Sequence, residues 1–153
     1  MTIEDDIAFF ERVPTLNMLG RAALRILAIG AESRYVHSGE VLFSAGEVAD
    51  SAFIVQEGTF NLTTRQAEGG DSVEVGRGTL LGEFALLVET VRPVTATAQE
   101  PSTVLRIPRT LFLKMLEGYP DAAKKLRDIL ATRTDQSTHE IYGVRSILDG
   151  RRH

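Results

Sequence analysis

The stretch Val75-Gly76-Arg77-Gly78-Thr79-Leu80-Leu81-Gly82-Glu83-Phe84-Ala85-Leu86-Leu87-Val88-Glu89-Thr90-Val91-Arg92-Pro93-Val94-Thr95-Ala96 carries the densest signal in the chain. Three glycines loosen a turn, the apolar run after Glu83 predicts one helical turn over 84–87, and a strand should follow. The leading amides of such a turn have no intrahelical acceptors and lie at the positive end of its dipole, which prepares them for an anion. Arg92 enters nine residues after Glu83. A guanidinium is the favoured bidentate partner of a phosphate. An ionised Glu83 only accepts hydrogen bonds, which suits it to sugar hydroxyls. Together these residues specify a ligand with one phosphate and a ribose. The glycines are not a dinucleotide-binding fingerprint, because the third comes one residue late and no βαβ unit follows.

On both sides of this stretch, residues 33–107 read as short β-strands. Candidates are Arg34–His37, Val41–Phe43, Ala52–Gln56, Thr59–Arg65, Val73–Gly76, Val94–Gln99 and Thr103–Pro108. Glycines punctuate them, and apolar residues alternate with polar ones, as in Phe60/Leu62 against Asn61/Thr63. This pattern predicts an antiparallel sandwich or barrel.

The flanks are helical. Ile7, Phe10, Leu16, Leu19, Ala23, Leu24, Leu27 and Ala28 recur at spacings of three and four. Pro14 interrupts this pattern and predicts two helices, over 3–12 and 15–31, with Thr15 beginning or capping the second. After the strands, Thr110 is placed to cap a helix over 111–118. Gly118-Tyr119-Pro120 then stops and restarts the helix. Ala122, Leu126, Ile129 and Leu130 form an apolar stripe. Residues 132–140 carry no apolar side chain, and the stripe resumes at Ile141, Val144, Ile147 and Leu148. The polar run reads either as a solvated face or as a face toward a polar ligand, with Thr132, Thr134 or Ser137 near it. A helix over 121–148 would be about 42 Å long, with a bend at Gly143. The expected class is α+β, one sheet core with helices gathered on one side, in a single domain over 1–153.

The chain has 153 residues, no cysteine, 17 Lys and Arg against 21 Asp and Glu, and a net charge of −4. Disulfides, thiol nucleophiles and Cys-ligated metals are excluded. The charge argues against sequence-independent nucleic-acid binding. No apolar run is long enough to span a membrane, and the acidic start is unlike a secretory signal. The expected location is cytoplasmic, so the sequon at Asn61-Leu62-Thr63 reads as chance. The three histidines have no ligand spacing, and no Ser/His/Asp arrangement stands out, so no enzymatic activity is expected.

Two blocks resemble the cyclic nucleotide-binding domain family. Leu81-Gly82-Glu83-Phe84-Ala85-Leu86-Leu87 with Arg92 is similar to its phosphate-binding cassette, Phe-Gly-Glu-Leu-Ala-Leu followed by a spacer and Arg. Residues 39–47 and 50–58 are similar to its early β-roll strands. The resemblance implies a β-roll over 33–108 with the cassette at 81–95, N-terminal helices over 3–31 and C-terminal helices over 110–149. It also implies residue roles. Glu83 would accept from the ribose 2′-hydroxyl, and Arg92 would pair with the cyclic phosphate. The amides of Gly82 and Ala85 would add contacts, while Val73, Leu81 and Phe84 would form an apolar wall. The C-terminal helix would close over the base, signal to an effector protein and offer a homodimer surface.

Pro93 departs from the pattern. The family has Ala, Ser or Thr after the arginine, whose amide donates to the phosphate, and proline has no N–H. The lost bond is on the order of 1.5–3 kcal/mol. Without a hydroxyl at Pro93, cAMP is expected over cGMP. Val94 and Thr95 complete the cassette, and Thr95 could restore a polar contact. The alternative reading is an interaction module of the same fold that has lost nucleotide binding. A transcription factor of the catabolite-activator type is not expected, because no helix-turn-helix fits after Leu148.

Overall fold

A computed structural model of the chain describes residues 2–64 and 72–129. Helix α1 (Ile3–Phe10) begins at a capping box: the Thr2 hydroxyl accepts from the Asp5 amide, and the Asp5 carboxylate accepts from the Thr2 amide, both at 3.1 Å. A 3-10 turn (Leu16–Met18) and helix α2 (Arg21–Gly30) follow. Among the described residues ten strands come next: β1 (Glu32–Val36), β2 (Val41–Phe43), β3 (Val48–Ala49), β4 (Ser51–Glu57), β5 (Phe60–Thr63), β6 (Ser72–Val75), β7 (Leu80–Leu81), β8 (Thr90–Val91), β9 (Thr95–Ala98) and β10 (Ser102–Pro108). A 3-10 turn (Glu83–Leu86) lies between β7 and β8. Helix α3 (Arg109–Gly118) follows β10, and residues 120–129 are helical to the edge of the described residues.

The strands pair antiparallel in three sheets, ordered β1-β10-β4-β7, β2-β9-β5-β6 and β3-β8. Two cores result, and β4 and β10 lie between them. Ala52 and Ile54 face a core built from α1, α2, α3, the helix over 120–129 and Leu105 and Ile107 of β10. Phe53 and Val55 face the opposite core, between the two large sheets, with Phe43, Phe60, Leu62, Leu81, Val94 and Ala96. Successive side chains of a strand point to opposite faces, so β4 serves both, as does β10 with Val104 on the roll side and Leu105 and Ile107 on the helical side. The class is therefore α+β, a β-roll with helices gathered on one face, as the sequence predicts.

Several local expectations need correction. The helix over 15–31 is broken, because Gly20 takes φ +86° and starts α2 at Arg21. Gly20 does this at no steric cost, whereas a side chain there would be strained. Thr15 precedes the first 3-10 turn but makes no side-chain cap. Thr110 lies inside the first turn of α3, whose N-cap is Pro108. The helical turn of the cassette starts at Glu83, one residue before the expected position. Strands β3, β7 and β8 have two residues each and were not expected. The polar run 132–140, the stripe from Ile141 to Leu148 and the bend at Gly143 lie outside the described residues. Within them, Ala122 and Leu126 are buried as the stripe requires.

Candidate functional site

The cassette sits where the two cores meet. Leu81 on β7 belongs to the roll interior, and Leu86 at the end of the 3-10 turn belongs to the helical side. Between them Gly82 takes the left-handed conformation, φ +83° and ψ +34°. A Cβ on Gly82 would lie 2.4 Å from Nη1 of Arg92 and 3.3 Å from the Ser51 carbonyl oxygen. Glycine is thus required twice, for its backbone and for the guanidinium packed against it.

Arg92 follows β8 and is 5% exposed. Its backbone is fixed by a ladder to the turn before β3: its amide donates to the Glu47 carbonyl at 2.7 Å, and its carbonyl accepts from the Gly46 amide at 2.8 Å. The guanidinium carbon lies 4.4 Å from the centre of the Phe43 ring and 5.4 Å from that of Phe53, and these rings stack 5.9 Å apart. Such cation–π contacts hold a guanidinium in place without using its donors. Nη2 donates to the Ser51 hydroxyl at 3.4 Å, and Nη1 is buried with no hydrogen-bond partner among the described residues.

Burial lowers the pKa of Arg92, against the opposing pull of Asp50 and Glu47, while Arg106 adds to the lowering. Arginine stays charged even so. Around Asp50, burial works against ionisation. The Ser51 hydroxyl and the Arg106 guanidinium outweigh it and hold the carboxyl below its usual range. Arg106 also pairs with Glu32 at 2.8 Å. A buried cation with a donor to spare, backed by a polar chain on its other side, is built to receive an anion.

Glu83, half-buried at the start of the turn, accepts a hydrogen bond from the Thr15 hydroxyl. The Ala85 amide donates to the Gly82 carbonyl at 3.0 Å, inside the turn. Phe84 is half-buried, Pro93 is exposed and Val94 is in the roll interior. Val73 packs against that same core. The Thr95 hydroxyl accepts from the Ala45 amide at 2.9 Å, which ties β9 to the turn before β3.

Sequence reading did not assign four contributors. Phe43 and Phe53 frame Arg92, and Ser51 links it to Asp50. Arg109, the first residue of α3, donates to the carbonyls of Ala85 (2.8 Å) and Ala49 (2.6 Å), fastening the cassette to that helix. No local signal in the sequence identified Arg109.

A separate cleft of about 570 Å³ opens between α1 and the turn before β7, lined by Asp5, Ala8, Phe9, Arg12, Arg77 and Gly78. Arg77 stacks there on Phe9 at 4.9 Å. None of these residues belongs to the cassette from 81 to 95. The cassette carries the buried donor, so it is the candidate site. No described helix is long and apolar enough to cross a membrane.

Residues 33–119 match the family described as the cyclic nucleotide-binding domain. Among curated relatives, lysophospholipase NTE1 of Pyricularia oryzae is 34% identical over 119 residues, 76% of this chain. Lysophospholipase NTE1 of Chaetomium globosum is 33% identical over 119 residues, 76% of this chain. The chain spans about 8% of the length of either relative. Among solved structures, a cyclic nucleotide-binding-like protein from Brucella abortus is 37% identical, with a TM-score of 0.65 over 74% of this chain and 98% of that one. The catabolite activator protein of Thermus thermophilus is 25% identical, with a TM-score of 0.66 over 84% of this chain and 61% of that one.

Proposed function

Because the chain belongs to the cyclic nucleotide-binding domain family, we propose that it is a regulatory sensor that binds cAMP in preference to cGMP. The buried Nη1 of Arg92, without a partner among the described residues, is the observation that carries this reading. A ligand phosphate accepting from Arg92 would satisfy that donor, and the adjacent Gly82 amide would add a second contact. Glu83 would accept from the ribose 2′-hydroxyl. Leu81, Val94 and Val73 supply apolar surface in the roll interior, with Phe84 at the turn. Pro93 offers no hydroxyl to a guanine, which favours adenine.

The role is binding and not bond chemistry, in a cytoplasmic setting. The signal would leave through the C-terminal helical segment to an effector protein or a second copy of the chain. Arg109 supports this route, since it joins the cassette to α3 directly. A ligand shifts such an equilibrium only by binding one helix arrangement better than the other.

Calorimetric titration tests the reading. cAMP should bind, and cGMP should bind more weakly. Arg92→Ala should weaken cAMP binding more than Glu83→Ala, because it removes the charge partner of the phosphate. Equal affinity of wild type and Arg92→Ala would refute the role of Arg92. Pro93 favours a second reading, an interaction module of this fold without nucleotide binding. Absence of heat with either nucleotide at millimolar concentration would establish that second reading.

A further inference from the structure

The cleft beside α1 has two walls of different make. On one side Asp5, Ala8 and Phe9 stand at spacings of three and four along the helix, which puts them on one face. Arg12 follows the helix, and its amide donates to the Phe9 carbonyl at 3.0 Å. On the other side residues 76–79 form a hydrogen-bonded turn. The Thr79 amide and hydroxyl both donate to the Gly76 carbonyl, at 3.2 and 2.7 Å. The turn is tied to β4, since the Gly78 amide donates to the Val55 carbonyl at 2.8 Å and the Val55 amide to the Thr79 carbonyl at 3.0 Å. Arg77 is thus presented from a rigid support.

Its guanidinium carbon lies 4.9 Å from the centre of the Phe9 ring, and Arg77 is otherwise exposed. Stacking uses none of the guanidinium donors and leaves its outer face open to a second planar group. Neither Arg12 nor Arg77 makes a hydrogen bond or ion pair among the described residues. The Asp5 carboxylate is held by the Thr2 amide at the other end of the cleft, about 10 Å along the helix from Arg12. It repels an anion there and directs one to the arginines. A carboxylate fills one guanidinium fork with one charge. A phosphomonoester carries close to two charges and three acceptor oxygens, and it fills both forks.

We propose that this cleft is a binding site for an aryl phosphomonoester, with Arg12 and Arg77 on the phosphate and the aryl ring on the outer face of the Arg77 guanidinium. The site is independent of the nucleotide reading, because none of its residues lies in the cassette. A free aryl phosphate and the phosphotyrosine of a partner protein share this chemistry.

The test is calorimetric titration of phenyl phosphate into the full chain. Phenyl phosphate should bind, and benzoate should bind about tenfold more weakly. Arg12→Gln and Arg77→Gln should each weaken phenyl phosphate about tenfold. Arg77→Lys should recover only part of that loss, since it keeps the charge without the fork. Arg92→Ala, which alters the cassette alone, should bind phenyl phosphate as the wild type does. A peptide with one phosphotyrosine distinguishes the sources: binding as tight as that of phenyl phosphate assigns the site to a partner protein, and weaker binding assigns it to a free small molecule. Absence of heat with phenyl phosphate at millimolar concentration overturns the proposal. So does benzoate binding equally well, wild-type affinity in both glutamine variants, or loss of binding in Arg92→Ala. None of these outcomes touches the cAMP reading, which is decided by its own titration.

Discussion

At Gly82 the backbone and a neighbouring charge make the same demand. The left-handed conformation would cost an L-residue about 1–2 kcal/mol, and a methyl group would collide with the guanidinium of Arg92. Gly82→Ala should therefore lower stability in urea by about that amount. It should also weaken cAMP binding by more than about tenfold, since the displaced guanidinium is the proposed phosphate partner. Wild-type affinity in this variant would mean that Arg92 does not depend on Gly82 for its position. Gly82 and Arg92 were legible in the sequence because each does something that few residue types can do. Thr15 was not legible as a partner of Glu83. The two lie 68 positions apart, and a lone threonine after proline reads as a cap until tertiary contacts give its hydroxyl another acceptor.

Among the elements, β1, β2, β4, β5, β6, β9 and β10 were readable from glycine punctuation and runs rich in Val, Ile, Phe and Thr, with alternation clear in β5, within a residue or two at their ends. Strands of two residues hold no period, which is why β3, β7 and β8 escaped. They exist because the folded neighbours supply their partners: Val48 opposite Val91, and Leu81 opposite Phe53. Helix α3 shows a similar limit, since Thr110 has a capping side chain while Pro108 occupies the capping position. The first residue of α3, Arg109, holds two carbonyls, on the cassette and on β3. Arg109→Ala leaves both acceptors without their charged donor and should cost about 2 kcal/mol in denaturant unfolding. Arg109→Lys should recover only part of that, because an ammonium lacks the planar fork that spans two acceptors. Full recovery with lysine would show that the charge alone matters.

Across the whole molecule, two cores share the paired strands β4 and β10, and adjacent residues of β4 report on different ones. Ile54 is fully buried on the helical side, and Phe53 is 3% exposed in the roll. Ile54→Ala should cost about 2–5 kcal/mol and Phe53→Ala about 3–5 kcal/mol. Under conditions where both variants are folded, only Phe53→Ala should also weaken cAMP binding, because Phe53 lies beside Arg92. Calorimetry of the two variants separates these effects, and a matching loss of affinity in Ile54→Ala would dissolve the distinction between the cores. The division itself was foreshadowed by the helix–strand–helix order of the chain. Its sharing through β4 was not, because β4 reads as an unbroken apolar run with no face marked as outward.

That run has a consequence for how such a chain can change over generations. Each position of β4 from Ser51 to Gln56 is buried. In β5 the half-buried Asn61 and Thr63 alternate with the buried Phe60 and Leu62, and drift can collect on the more open side. β4 has no such side. A lineage that reshapes its ligand pocket through this strand perturbs the seat of its helices one residue away, so the two must be revised together.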